Sequence, residues 1–235
     1  MSVRVSCILA TGNRLAFTRQ AIRCFLRQTY DDSELIVVDD GAEPASDICA
    51  GLCRVTYIRL TEPTLLGTKL NIGVERSQGR VIQKLDDDDY YRPEFLERAV
   101  ASLPHDESAC AVVAWDCFLV LLSGERRVRF SGHGWTAGGT FCFHRRLWER
   151  GGFRDVPRHV DSGFIEDHRP QVVKVCAPEH YMLVRHGANT WNHLSAGGAV
   201  DAYFRRLPPD RRTVTDVVEP IDRTFYEALA RTRVA

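Results

Sequence analysis

No stretch of about 18 apolar residues occurs in this chain, so no helix of it is expected to span a bilayer. An excess of either charge is also missing. Lys+Arg and Asp+Glu both total 31, giving a formal net charge of zero. That balance argues against a general nucleic-acid or membrane-surface binder. The opening Met1-Ser2-Val3-Arg4-Val5-Ser6-Cys7 lacks a signal-peptide pattern and runs directly into a strand, so a cytoplasmic location is expected. No CxxC occurs. The eight cysteines are scattered, and Cys7, Cys110, Cys142 and Cys176 lie in apolar, strand-like runs. Cys49 and Cys53 share an expected helix face, but no matching histidine pair follows. Most cysteines therefore read as small buried hydrophobes in a reducing compartment, with no structural zinc site expected. Repeats, low-complexity segments and a clear interdomain linker are absent too. At 235 residues the chain can bury one substantial core, alone or with a small appendage.

What is present begins with alternation. Residues 3–10 form a continuous apolar run, suited to a strand covered on both faces. Residues 14–27 place Leu15, Ile22, Phe25 and Leu26 at roughly helical spacing. Further strands are expected at 34–38, 55–60 and 81–85, and helices at 44–52, 68–77 and 93–103. This order implies an α/β chain with a mostly parallel, right-handed, doubly wound sheet. The second half is mixed. Residues 109–122 read as a long strand turning over Ser123-Gly124 into a hairpin with 126–130. A glycine-rich loop at 132–139 follows, then a strand at 140–143 and helices near 145–150 and 161–168. Strands are expected at 171–176 and 180–185, and the tail from 194 to 235 reads as helical. The expected division is a domain over 1–191 with a C-terminal helical tail, 192–235, packed on it.

The most informative feature is Asp86-Asp87-Asp88-Asp89, which ends the apolar run Val81-Ile82-Gln83-Lys84-Leu85. Adjacent carboxylates repel, and crowding raises their pKa values. A hard divalent cation relieves that repulsion, and Mg²⁺ or Mn²⁺ suits oxygen ligands and substrate phosphates. Pro93 is placed to start the next helix. Ligand sites of open α/β sheets lie at the carboxyl ends of strands. The first strand ends at Thr11-Gly12-Asn13-Arg14 and the second at Asp39-Asp40-Gly41, so these residues should face the acidic cluster. Thr11, Arg14 and Asp39 are thus candidate donor-binding residues; a carboxylate at Asp39 can accept from a ribose or a base N–H.

Val37-Val38-Asp39-Asp40-Gly41, then Gly67-Thr68-Lys69-Leu70-Asn71-Ile72-Gly73, then Leu85-Asp86-Asp87-Asp88-Asp89 together resemble the family 2 glycosyltransferases with the GT-A fold. The resemblance covers roughly residues 3–190 and rests on the order and spacing of short motifs. It implies a Rossmann-like sheet with a smaller, mixed acceptor-side half. By this resemblance Asp39 holds the nucleoside of a nucleotide-sugar donor. Asp86, Asp87 and Asp88 match the DxD-type motif, with Asp88 the direct ligand of Mn²⁺ or Mg²⁺. Asp89 is left to hold a ribose, a metal-bound water or a helix N-terminus. Lys69 either contacts the nucleotide or diphosphate as a point charge or pairs with the acidic cluster. Asn71 reads as a structural tie between loops.

Inverting transfer needs a general base for the acceptor, which the family supplies as an Asp at the start of a helix, often within Glu-Asp. Asp161, in Val160-Asp161-Ser162-Gly163-Phe164, competes with Asp167, in Glu166-Asp167-His168. Asp161 leaves room for about two helical turns before the next strand, and it can cap that helix. Asp167 leaves almost none before Arg169-Pro170, so Asp161 is favoured. His186 resembles a third metal ligand of some GT-A enzymes, against a plain loop histidine. Trp135 and Gly138-Gly139 are expected to border the sugar and acceptor. The expected activity is metal-dependent inverting glycosyl transfer of a hexosyl or N-acetylhexosaminyl type, from a nucleotide-diphosphate donor, most simply a UDP-sugar. The acceptor (small molecule, glycan or peptide) is not legible. A sugar-phosphate nucleotidyltransferase and a noncatalytic sugar-nucleotide binding protein are the alternatives.

Overall fold

In the computed structural model, residues 3–187, 189 and 199–232 are described. Strands β1 (Val5–Thr11), β2 (Ser33–Asp39), β3 (Val55–Arg59) and β4 (Val81–Asp86) lie mutually parallel. With β6 (Ala111–Cys117), β9 (Cys142–His144) and β10 (Gln171–Cys176) they form a seven-stranded sheet of order β10-β6-β9-β4-β1-β2-β3. β9 runs antiparallel to both β4 and β6, so β6 and β10 share the direction of β4. All seven residues of β1 are buried, as expected for a strand covered on both faces.

The coverage is doubly wound. Ala21, Ile22 and Phe25 of α1 (Leu15–Leu26) and Phe95, Leu96 and Ala99 of α4 (Phe95–Ser102) pack with Cys7, Leu9 and Leu35 on one face. Leu70 and Val74 of α3 (Leu66–Arg76) and Phe164 of α6 (Val160–His168) pack with Ile8, Ile36 and Val38 on the other. Gly73 permits the close approach of α3, because a Cβ there would strike Ile8.

A second sheet has the order β12-β8-β7-β11-β5. It combines β5 (Tyr90–Tyr91), β7 (Leu119–Leu122), β8 (Arg127–Phe130), β11 (Tyr181–Arg185) and β12 (Pro209–Thr213). Two expectations change here. The run at 109–122 is two strands in two sheets, β6 and β7, broken at Phe118, whose N–H donates to Ser131 Oγ at 2.9 Å. Only β7 makes the hairpin with β8. The C-terminal segment is not wholly helical. β12 pairs antiparallel with β8, and its place at the sheet edge tolerates Pro209, which lacks an N–H. The boundary expected at 191/192 lies outside the described residues.

The cysteine reading is corrected as well. Cys117 and Cys176 form a disulfide with Cα atoms 5.0 Å apart. The register of parallel β6 and β10 brings their C-terminal ends together across 59 residues of chain. Cys7, Cys24, Cys49 and Cys142 are buried thiols, whereas Cys53 is exposed.

Candidate active site

Register places the acidic strand ends. Thr11 pairs with Asp39 across β1 and β2, and Ala10 with Asp86 across β1 and β4. Thr11, Asp39 and Asp86 therefore share the carboxyl edge of the sheet. Thr11 Oγ1 donates to Asp87 Oδ2 at 2.6 Å. The Arg14 guanidinium spans the next two carboxylates, 2.8 Å from Asp87 and 2.9 Å from Asp88. Asp88 Oδ2 also accepts from Asn189 Nδ2 at 2.9 Å and lies 3.2 Å from His186 Nε2. The His186 ring stacks on Phe17 at 4.3 Å, which fixes its plane. Burial pushes the Asp87 carboxyl up to about 7, against the opposing pull of Arg14. Burial acts the same way on Asp88, but the hydrogen bond with His186 and the charge of Arg14 win and lower it.

A second triad adjoins the first. Lys84 is a charged residue in a strand interior, only 2 % exposed. Its Nζ lies 2.7 Å from Asp86 Oδ1 and 3.4 Å from Asp161 Oδ1. Burial opposes the ammonium, yet Asp161 and Asp86 more than offset it and raise its pKa. Asp161 sits in the first turn of α6, where the helix dipole favours an anion. Its Oδ1 is buried and accepts no hydrogen bond among the described residues. Gly138 and Gly139 close the wall. A Cβ at 138 would collide with the Asp161 carboxylate, and one at 139 would press on Asp86. Asp167 lies elsewhere. Arg154 grips it with two bonds of 2.8 and 2.6 Å on an exposed face.

The remaining candidates have internal partners. Asp39 is 1 % exposed and accepts from Gly41 N and Ala45 N at 2.8 Å and from the Tyr57 hydroxyl at 2.9 Å. It closes the turn after β2. Lys69 pairs with Asp40 at 2.8 Å and donates to Thr11 O at 3.0 Å, rather than to the acidic cluster. Asn71 ties loops as its amide suggested: Oδ1 accepts from Trp148 Nε1 and Phe153 N, and Nδ2 donates to Phe153 O. Asp89 departs from its three expected roles. It accepts from Val184 N at 2.9 Å and from the Tyr181 hydroxyl, anchoring β11. Trp135 stacks on Tyr203, with centroids 5.3 Å apart.

Two site residues were missed. Lys84 carried a signal, since lysines are rarely buried unless paired. Asn189 carried none, because its role depends on the loop after β11. The donor set suits a divalent cation. Asp88 and His186 converge as an oxygen–nitrogen pair beside Asp86 and Asp87. Among the described residues, Arg14 and Lys84 are the cations paired with this cluster and Asp161, so negative charge predominates.

Residues 6–159 match the family description "Glycosyl transferase family 2". An uncharacterized glycosyltransferase of Rickettsia bellii is 33 % identical over 98 residues, covering 40 % of this chain and 14 % of that protein. The putative glycosyltransferase EpsH of Bacillus subtilis is 31 % identical over 98 residues, 40 % of this chain and 28 % of its own. The matches thus span a third or less of those relatives' length. Among solved structures, S. aureus TarS in complex with UDP-GlcNAc superposes with a TM-score of 0.64 at 14 % identity, over 80 % of this chain and 60 % of that one. The mannosyltransferase PcManGT of Pyrobaculum calidifontis, in complex with GDP-Man and Mn²⁺, gives 0.63 at 18 % identity, over 98 % and 70 %. These likenesses show the GT-A fold. With the family match spanning well over half the sequence, the chain belongs to glycosyl transferase family 2.

Proposed function

We propose that this chain is a metal-dependent, inverting glycosyltransferase that moves a sugar from a nucleotide-diphosphate donor, a UDP-sugar, to an acceptor nucleophile. The observation that carries this reading is the Asp86–Lys84–Asp161 triad, with an Asp161 oxygen that accepts no hydrogen bond among the described residues, set beside the buried Asp87–Asp88 pair. Asp88 and His186 are the residues that would hold Mn²⁺ or Mg²⁺. Such a cation neutralises charge that develops on a leaving diphosphate.

The chain's own groups do the rest. Asp161 accepts the acceptor's proton on its carboxylate. Lys84 orients that carboxylate, and its own ammonium is held charged by Asp161 and Asp86. Arg14 and Thr11 fix Asp87 and Asp88 in position. Asp39 and Lys69 shape the nucleoside end through the turn after β2 and through Asp40. A ligand reaches Asp39 itself only by displacing Tyr57 or the neighbouring Arg59.

The test is UDP release and acceptor-dependent transfer across a panel of UDP-sugars and acceptors. Asp161→Asn should slow transfer by about 10²–10⁴-fold with donor affinity unchanged. Asp167→Asn should stay near the wild-type rate. Inactive Asp167→Asn beside active Asp161→Asn would refute the assignment, and donor binding without turnover would favour a noncatalytic binder.

A further inference from the structure

We propose that Asp116, Cys117, His133 and Cys176 form a zinc site that is gated by the Cys117–Cys176 disulfide. One potential ligand atom from each lies within 4.8 Å of all the others. Tetrahedral zinc with Zn–S of about 2.3 Å and Zn–N or Zn–O of about 2.0–2.2 Å needs ligand atoms about 3.3–3.8 Å apart. Small side-chain rotations therefore suffice. A Cys₂HisAsp set also matches the mixed thiolate, imidazole and carboxylate preference of this metal. The inference does not depend on the transfer reading above.

The local backbone explains how distant residues meet. In the β6–β10 pairing Val175 lies opposite Trp115 and Cys176 opposite Cys117, so the register skips Asp116. Neighbouring residues of a regular strand point to opposite faces. A bulge re-aims a side chain, and here Asp116 and Cys117 both reach one cluster. The third strand-end element is the loop after β8. Ser131 N donates to Phe118 O at 3.0 Å and Ser131 Oγ accepts from Phe118 N, rooting the loop beside Cys117. Gly132 and Gly134 then take positive φ values of +76° and +102° on either side of His133. Those conformations suit glycine, and they turn His133 back towards the strand ends.

An independent sign comes from Asp116. Its Oδ1 is a buried atom with no hydrogen-bond partner among the described residues. Buried acceptors are nearly always satisfied, and a cation at the cluster would satisfy this one.

The disulfide form cannot hold the ion, because its sulfurs carry no thiolate charge. Two equivalents of a small thiol, R–SH, reduce it: the Cys117–Cys176 S–S bond breaks, one R–S–S–R forms, and two protein thiols result. Zinc binding then releases both thiol protons, leaving two thiolates on the metal. In that state the ion, rather than the S–S bond, ties β6 to β10 and adds the loop at 131–137, which carries Trp135 and leads into Gly138 beside Asp161. Exchange of the two thiolates with a small disulfide, R–S–S–R, would re-form the Cys117–Cys176 bond, release two R–S⁻ and eject the ion, freeing that loop from it.

The full chain, reduced with a small dithiol and desalted without oxygen, is titrated with Co²⁺. Thiolate-to-cobalt charge-transfer absorption reports sulfur ligation, which a carboxylate cluster cannot produce. One Co²⁺ per chain should bind with that band, and one Zn²⁺ should displace it. The oxidised chain should show no band. Cys117→Ser/Cys176→Ser should lose it, while Cys49→Ser keeps it. His133→Ala changes an exposed residue and should fold, yet bind Co²⁺ at least about tenfold more weakly, since losing even an outer-shell partner of a metal ligand costs about 10–100-fold. Absence of the band in the reduced chain, or a Co²⁺ affinity unchanged by His133→Ala, would overturn the proposal.

Discussion

The buried carboxylates of the strand-end cluster and those where the C-terminal segment docks are held in opposite ways. Asp222, fully buried, is ion-paired with Arg27 and accepts from Gln20 Nε2 at 2.6 Å. Nearby, Glu219 meets Arg92 at 2.9 Å, and the buried Tyr226 hydroxyl donates to Asp89 O. There the buried Asp222 has an arginine of its own, while the partly exposed Glu219 shares Arg92 with Glu94. At the strand ends, Asp86 and Asp161 divide one lysine, and Asp87 and Asp88 divide one arginine. Burying a charge is costly unless it is paired. The arginine dedicated to buried Asp222 contributes to holding the fold, and the shared cations at the strand ends leave attraction available for a ligand.

Mutating each region sharpens that contrast. Breaking a buried ion pair leaves an uncompensated charge, so Asp222→Ala should lower stability by about 3–5 kcal/mol in urea unfolding. Asp161→Asn removes surplus negative charge from a half-buried position and should shift stability by less than about 1 kcal/mol. Equal losses in the two variants would erase the distinction. Next in size is Gly138→Ala. The added methyl displaces the Asp161 carboxylate, and a misplacement of about 1 Å costs on the order of 10²-fold in rate. Transfer kinetics should show that drop while the melting temperature barely moves; a wild-type rate would detach Asp161 from the chemistry.

The smallest effect lies in β12. The Arg212 hydrogen bond holds the Asp210 carboxyl down at about 2, below its ordinary 3.8. A depressed folded value means stability present above pH 4 and lost as pH falls towards 2, at most about 2 kcal/mol. The melting-temperature gap between wild type and Asp210→Asn should therefore narrow as pH falls from 5 to 2. A constant gap would show that the pair contributes nothing.

The donor-side half of the sheet was legible because its signals are local. Apolar runs ending in Thr11, Asp39 and Asp86 mark parallel strands, and parallel strands bring their ends to one edge. The second sheet was not, because its pairings join distant segments. Nothing in an unbroken apolar run at 109–122 says that the chain changes sheets at Phe118, and nothing near Pro209 announces a partner at β8. Four identical aspartates posed a related problem. The tight turn between β4 and β5 sends Asp89 inward to Tyr181 and Val184, away from Asp88, and sequence carries no sign of which carboxylate turns which way. The two cysteines that pair did so through the register of β6 and β10, not through spacing.

The unequally paired strand-end carboxylates should bind a cation and a nucleotide diphosphate together. Calorimetric titration of UDP into the chain, with Mn²⁺ and with chelator, tests it most directly. Mn²⁺ should raise UDP affinity about tenfold or more, about 1.4 kcal/mol, with no such gain in an Asp88→Asn variant that melts like wild type. Equal UDP affinity with and without Mn²⁺ in the wild-type chain would contradict it.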